Sequence, residues 1–346
     1  MRVLVAMSGG VDSSVAAARL VAAGHDVVGV TMKLWGGESD TGCCSVSDVD
    51  DARRVAQQLG IAHHTWTFTD DFERHVVGPY VDAHRRGATP NPCVECNRHL
   101  KFDRLTRRAW AVGFDAVATG HHARIVDGPA GTRRLARGAD RAKDQSYVLY
   151  MLDQATLART LLPVGETSKA AVRAEAEALG LRTAAKPDSQ DVCFVTAARG
   201  RGDFLGHRIP LRPGVVVDGD GRTVGEVPAV ELVTVGQRRG LGLPGGGEPR
   251  YAVAVDVPGA TVRVGPEAEL LAGAVTLDGV TWAGGAAAGA VGAQCSAHGA
   301  VRPATVEPVP GGRAVVRFAR PERRVAAGQA IVLYDGDEVV GGGLAI

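Results

Sequence analysis

"VAMSGGVDSSVAAARL", residues 5–20, decides the fold. It runs from an apolar strand, through two glycines, into a helix start. Gly9 and Gly10 let the backbone turn with its N–H groups pointing into the loop, and Ser8, Ser13 and Ser14 add hydroxyl donors. The helix that follows brings the positive end of its dipole, so the loop is a cradle for a phosphate. A tight turn closed by Asp12 or Ser13 is the plainer reading, but a cap needs one such side chain and this loop carries several. Neither G-x-x-x-x-G-K-[ST] nor G-x-G-x-x-G is present, so no loop lysine awaits a γ-phosphate.

Outward from this loop the chain alternates. "RVLVAM", "DVVGVTMKL", "HHTWTF" and "DAVATGH" read as strands. Between and around them the pattern predicts helices over 12–23, 48–59, 70–86 and 97–112, then a hairpin at 123–137 and helices at 144–160 and 168–179. Such alternation predicts an α/β fold with a parallel sheet covered on both faces, whose ligands bind beyond the carboxyl ends of the strands. Beyond residue 204 glycine and proline become frequent. Short runs ("GVVVD", "ELVTV", "YAVAVD", "TVRVG", "RAVVRF", "AIVLYD") announce β structure. The Gly/Ala stretch at 283–294 reads as a linker or long loop. The expected domains are 1–204, 205–275 and 276–346.

The 346 residues are 45% hydrophobic and 22% charged, enough for more than one packed core. The formal charge of +1 restricts any nucleic-acid surface to a local patch. No apolar run reaches membrane-spanning length and no secretory signal precedes the first strand, so a cytoplasmic protein without membrane attachment is expected. All five lysines lie before residue 187, which makes each worth asking about.

Six cysteines in such a chain do not suggest a disulfide scaffold. In "TPNPCVECNRHLKFD", residues 89–103, a helix starting at Asn97 would place Cys96 at its positive end and favour the thiolate. A buried small residue or half of a zinc site are alternatives, but no second C-x-x-C follows. Cys193 in "KPDSQDVCFV" is the candidate partner. Two cysteines far apart in sequence suit sulfur transfer, one carrying a persulfide and the other resolving it as a disulfide. Arg98, Lys101, Arg104 and Arg108 recur at three- and four-residue intervals as a basic stripe, read as a solvated face or an RNA contact. Arg238 and Arg239 form a similar loop candidate. His63–His64 and His121–His122 lack the spacing of a helical zinc motif.

"SGGVDSS" resembles the loop of the N-type ATP-pyrophosphatases (adenine nucleotide alpha hydrolase-like), which adenylate a carbonyl oxygen. The order SGGVDSS, MKLW, TPNPCVECN, KFD, ATGHHAR, KDQSYVLYML, KPDSQDVCFV, TVGQRRGLG, GQAIVLYDGDEVVGGG resembles the bacterial tRNA-specific 2-thiouridylases across nearly the whole chain. The resemblance implies an ATP-pyrophosphatase domain followed by a β-rich central domain and a C-terminal tRNA-binding β-barrel. It implies adenylation of the wobble uridine at its 2-oxygen and replacement by a persulfide sulfur, with AMP and pyrophosphate released. It implies ATP and Mg²⁺ as cofactors. tRNA and a sulfur donor, a cysteine desulfurase or sulfur relay protein, are the implied partners. Ala6, Met7, Ser8, Gly9, Gly10, Val11, Asp12, Ser13, Met32 and Gly120 match its nucleotide-binding positions. Cys96 matches its nucleophile and Cys193 its persulfide cysteine. Asn91, Pro92 and Cys93 match the stretch touching the target base. His121, Lys143, Asp144, Gln145, Arg302 and Gln329 match tRNA contacts. Some members carry an acid in place of Cys93, an aromatic often replaces Pro303, and the Cys43–Cys44 pair lies outside the pattern. Two rival readings remain: a thiolase holding an iron–sulfur cluster through Cys93, Cys96 and Cys193, and a non-catalytic nucleotide- and RNA-binding module.

Overall fold

The computed structural model describes residues 1–35, 46–188, 192–195, 200–245 and 247–346, so Cys43 and Cys44 lie outside the described residues. The chain forms two units. One comprises Met1–Val76, Cys93–Ala197 and Gly336–Val340; the other comprises Val77–Pro92, Ala198–Asp335 and Gly341–Ile346.

The first unit is built on strands β1 (Arg2–Ala6), β2 (Asp26–Lys33), β3 (Ala62–Thr67), β4 (Ala116–Thr119), a hairpin of β5 (Ala123–Asp127) and β6 (Arg133–Arg137), and β7 (Thr160–Leu161). Five of these make a parallel sheet in the order β3-β2-β1-β4-β7. Val3, Leu4 and Val5 of β1 are wholly buried, as a central strand covered on both faces requires. Helix α1 (Val11–Ala22) packs Val11, Val15, Ala16 and Leu20 into the core with Val55 and Ala56 of α2 (Val46–Gln58) and Val172 and Ala176 of the helix Lys169–Ala178. Arg19 of α1 is fixed to Glu175 of that last helix at 2.5 Å.

The predicted helix at 144–160 is not formed. The chain there makes a single 3₁₀ turn at Ser146–Val148, a short helix Gln154–Leu157 and then β7. The Asp144 carboxylate is the physical reason. It accepts from the backbone N–H groups of Gly138 and Ser146 and from the Ser146 hydroxyl, a local arrangement that competes with helix.

The second unit contains a four-stranded sheet, order β10-β11-β8-β9, from β8 (Gly214–Val217), β9 (Thr223–Val227), β10 (Tyr251–Asp256) and β11 (Thr261–Gly265). Val216, Val227, Val262 and Leu241 fill its core. "ELVTV" is not a strand: Val230–Leu232 form a 3₁₀ turn, and Glu231 is buried against the backbone N–H and guanidinium of Arg212. The remaining strands are β12 (Leu271–Trp282), β13 (Gly289–Gln294), β14 (Val301–Val309), β15 (Arg313–Arg323), β16 (Ala330–Asp335) and β17 (Glu338–Ala345). They run in the order β12-β15-β14-β13-β16-β17, and β17 pairs back with β12 to close an antiparallel barrel. The stretch expected as a linker therefore supplies a barrel strand. At Gly292 a β-carbon would strike the Val301 side chain across the β13–β14 pair.

Candidate active site

In the parallel sheet the connection order reverses between β1 and β4, the place where a crevice opens beyond the strand ends. Ala6 and Thr119 are register partners there. The chain leaves β1 through Met7–Gly10 and leaves β4 through Gly120–His122, so two predicted nucleotide segments flank one crevice. Ser8 N–H donates to Ser13 Oγ (3.2 Å), while Ser13 Oγ–H and Ser14 Oγ–H donate to Gly10 O (3.1 and 2.8 Å). Thr31 Oγ–H on β2 donates to Met7 O, and Met32 beside it is buried. Gly9 has φ 71°, and its α-carbon faces the carbonyl of Asp48 so closely that no side chain fits. Gly120 fills a similar need: a β-carbon there would lie 2.5 Å from Ser13 N and 2.6 Å from Asp12 C.

Asp12 does not cap α1. Its Oδ1 accepts from His122 Nε2 (3.0 Å) and its Oδ2 from Lys169 Nζ (2.6 Å). Burial pushes its pKa up, but the hydrogen bonds from His122 and Lys169 win, and the carboxyl sits below the usual range. A carboxylate can only accept, so the His122 proton is on Nε2; the buried Nδ1 has no partner among the described residues. Lys169 Nζ also meets Asp188 Oδ1 (2.9 Å), and Asp188 further holds Arg173 (2.7 Å) and Lys143 (2.8 Å). Despite partial burial, these cations hold the Asp188 carboxyl well below the usual range. The loop thus lacks a lysine of its own, yet one reaches it from 157 residues away.

His121 is buried with Nδ1 2.7 Å from Thr119 Oγ1, and burial, with Lys101 and His122 nearby, drives its pKa well down. Gln145 braces the same turn: its Oε1 accepts from His122 N–H (2.8 Å), and its N–H donates to His122 O. Asp144 is locked onto Arg137 at 2.8 Å. The side chains of Asp144 and Gln145 are thereby committed inside the unit, whereas Lys143 keeps 40% of its side chain exposed.

The helix expected to start at Asn97 starts at Pro92. Cys96 is therefore one turn inside it, buried, and the expected helix-end position belongs to Pro92 and the exposed Cys93. From Cys96 to Arg104 the helix is π-wound, with i→i+5 hydrogen bonds. This wider winding breaks the expected stripe. Arg98 pairs with Glu95 (3.7 Å) and donates to Tyr150 Oη, Arg104 meets Asp71 (3.2 Å), and Arg108 lies over the Trp66 ring (4.3 Å). Glu95 also meets His99 at 3.2 Å. Cys193 is half-buried, and the adjoining Phe194 packs on Phe72 with ring centroids 5.6 Å apart. Phe72 ends the short helix Thr69–Phe72, which carries the Asp71 that meets Arg104. The Cys96 and Cys193 segments thus pack against one common element.

In the second unit, Asn91 and Pro92 lead into the Cys96 helix. Gln329 Nε2 donates to Thr89 O, and Arg302 is exposed on β14 with Glu322 at 3.4 Å. Arg238 and Arg239 are exposed. His63 Nε2 meets Thr31 Oγ1 at 2.9 Å. Among the described residues no three His, Cys, Asp or Glu side chains gather as a metal site, and Cys93, Cys96 and Cys193 do not form one. Each Asp12 oxygen accepts one hydrogen bond, from His122 or from Lys169.

Sequence reasoning missed His122, Lys169 and Asp188 as partners of the loop. The one usable signal was the scarcity of lysine: Lys143, Lys169 and Lys186 all end on carboxylates.

The sheet order, the SGGVDS loop at its reversal and Gly120 beside that loop define an ATP-pyrophosphatase of the N-type. A family model described as the tRNA methyl transferase HUP domain matches residues 1–197. A tRNA methyl transferase PRC-barrel domain matches 202–266, and an aminomethyltransferase beta-barrel domain matches 274–345. The tRNA-specific 2-thiouridylase MnmA of Mycolicibacterium smegmatis is 48% identical over 355 residues, covering 98% of each chain. That of Mycobacterium leprae is 50% identical over 360 residues, covering 99% of this chain and 98% of its own. A solved 4-thiouridine synthetase–RNA complex with bound ATP overlaps 56% of this chain and 44% of its own, at 17% identity and a TM-score of 0.36, too loosely to argue from. The chain belongs to the tRNA-specific 2-thiouridylase family.

Proposed function

We infer that the protein is an ATP-dependent tRNA 2-thiouridylase, a sulfurtransferase acting on the wobble uridine. Kinship along 98% of the chain carries this reading, and the phosphate cradle at the sheet's reversal point supports the ATP step. The loop's N–H groups, the α1 N-terminus and Lys169 receive the triphosphate. Uridine O2 attacks the α-phosphorus, and the bond to pyrophosphate breaks. The outer sulfur of a Cys193 persulfide then attacks C2, and AMP leaves with the former O2. The Cys96 thiolate attacks the remaining sulfur–sulfur bond, leaving 2-thiouridine on the RNA and a Cys96–Cys193 disulfide. A reductant and a fresh sulfur donor, a cysteine desulfurase or relay protein, reset the enzyme. Asn91, Pro92 and Cys93 face the target base. His121, Lys143, Asp144, Gln145, Arg302 and Gln329 belong to the tRNA-contacting set, Asp144 and Gln145 by shaping the turn. Magnesium arrives on the triphosphate, the compartment is the cytoplasm, and the three domains are 1–204, 205–275 and 276–346.

The test is labelled ATP with wobble-unmodified tRNA and a persulfide source. AMP, pyrophosphate and 2-thiouridine are expected in step; ADP as the main product would sink the assignment.

A further inference from the structure

Two lysines and an arginine serve two carboxylates beside the phosphate loop, and their exposure differs along the series. Lys169 is 10% exposed and bridges Asp12 and Asp188 at 2.6 and 2.9 Å. It is the first residue of the helix Lys169–Ala178, where a cation opposes the helix dipole. It does not cap that helix, since Ser168 Oγ accepts from Ala171 N–H. Its position is explained by the two carboxylates it joins. Asp188 gives Oδ1 to Lys169 and Arg173, and Oδ2 to Lys143 at 2.8 Å. Lys143 is the most exposed member, with 40% of its side chain in solvent and only one of its three ammonium hydrogens needed for Asp188. The series therefore runs from solvent through Lys143, Asp188 and Lys169 to Asp12, all within the first unit.

We propose that Asp188 is a positioning residue that couples RNA binding at Lys143 to nucleotide binding at the Asp12 loop. An RNA phosphate on the free hydrogens of Lys143 immobilises its ammonium without removing it from Asp188. The fixed carboxylate then holds Lys169, which holds Asp12 and the first turn of α1 in the phosphate-receiving arrangement. The coupling is positive. By linkage, nucleotide tightens RNA binding by the same factor that RNA tightens nucleotide binding. This rests on the reading of Lys143 as an RNA-facing residue.

The experiment is equilibrium binding with the full chain at fixed salt. A non-hydrolysable ATP analogue is titrated with and without saturating unmodified tRNA, and tRNA with and without the analogue. In the wild-type protein each ligand should tighten the other by about fivefold or more, the lower end of ordinary allosteric couplings. Asp188→Asn should bind both ligands with the factor reduced to about one. Lys143→Met, at the exposed end, should weaken tRNA binding itself and likewise bring the factor to about one while leaving the Lys169–Asp188–Arg173 cluster in place, so it serves if Asp188→Asn folds poorly. A wild-type factor of one, or a wild-type factor retained in both variants, overturns the relay while the activity assignment stands. Absence of any tRNA binding by the wild-type protein overturns the substrate assignment and the relay together.

Discussion

Gly120→Ala adds a single carbon where three backbone atoms already stand, 2.5 Å from Ser13 N, 2.6 Å from Asp12 C and 2.9 Å from Ser13 Cα. Comfortable separations begin at about 3.5 Å, so the end of β4 and the start of α1 must part by roughly 1 Å. Backbone cannot rotate away as a side chain can. The first turn of α1 is also held from other directions, by Ser14 on Gly10 O, by His122 and Lys169 on Asp12, and by Val11 and Val15 in the core. Overpacking of this kind costs about 1–3 kcal/mol. At ~1.4 kcal/mol per tenfold, a strain relieved by displacing the loop lowers ATP affinity roughly five- to hundredfold. The denaturation midpoint should fall modestly and the fold should survive. Equilibrium ATP binding and urea unfolding on the same preparation check this. An alanine variant with wild-type affinity and an unchanged midpoint would show that the close approach of Gly120 to α1 does not set the loop.

His84 is buried with Nδ1–H on Glu231 O (3.3 Å) and Nε2 without a partner among the described residues; burial, aided by Arg201, lowers its pKa to about 4. The unfolded chain takes this proton near pH 6.5, so stability should be full above that pH and fall towards pH 4 by about 3 kcal/mol, and His84→Gln should flatten the slope between urea midpoints at pH 7 and pH 5. Without reductant, Cys193→Ser should bind ATP but transfer no sulfur. Cys96→Ser should load sulfur at position 193 yet release little thiolated tRNA. Peptide mass spectrometry after one wild-type turnover should show Cys96 bridged to Cys193; a Cys93–Cys96 bridge refutes the pairing. Burial and the nearby Glu322 raise the Cys295 thiol to about 11, so iodoacetamide at pH 8 should label it only after unfolding; labelling in the native protein contradicts this.

The parallel sheet was legible because central strands write apolar runs such as Val3–Ala6 and Val27–Val30. The loop was legible because its donors are contiguous. What escaped was decided at long range or by hydrogen bonding. Nothing local to Lys169 announces Asp12, and the apolar run around Tyr147, Leu149 and Tyr150 suggests a helix that Asp144 forbids. The π winding over Cys96–Arg104 leaves no period that a 3.6-residue template detects, so both the Cys96 position and the basic stripe were drawn on the wrong helix.

The interleaving of the two units has a consequence for how the chain is made. Synthesis delivers residue 1 first, and domains ordinarily fold in that order. Here the first unit includes Gly336–Val340. Asp337 in that segment accepts from Arg124 and Arg141, its carbonyl takes the N–H of Arg137, and Glu338 pairs with Ala136. The hairpin Ala123–Arg137 must therefore wait, through some two hundred further residues, for these partners. Conversely, the helix Gly78–Arg85 emerges early and belongs to the unit that holds Glu231, the partner of His84. A ribosome stalled near residue 204 carries a nucleotide-binding unit still missing its final segment and a helix whose own unit is not yet written. The pairing of that hairpin should consequently form only after Asp337 and Glu338 have been made.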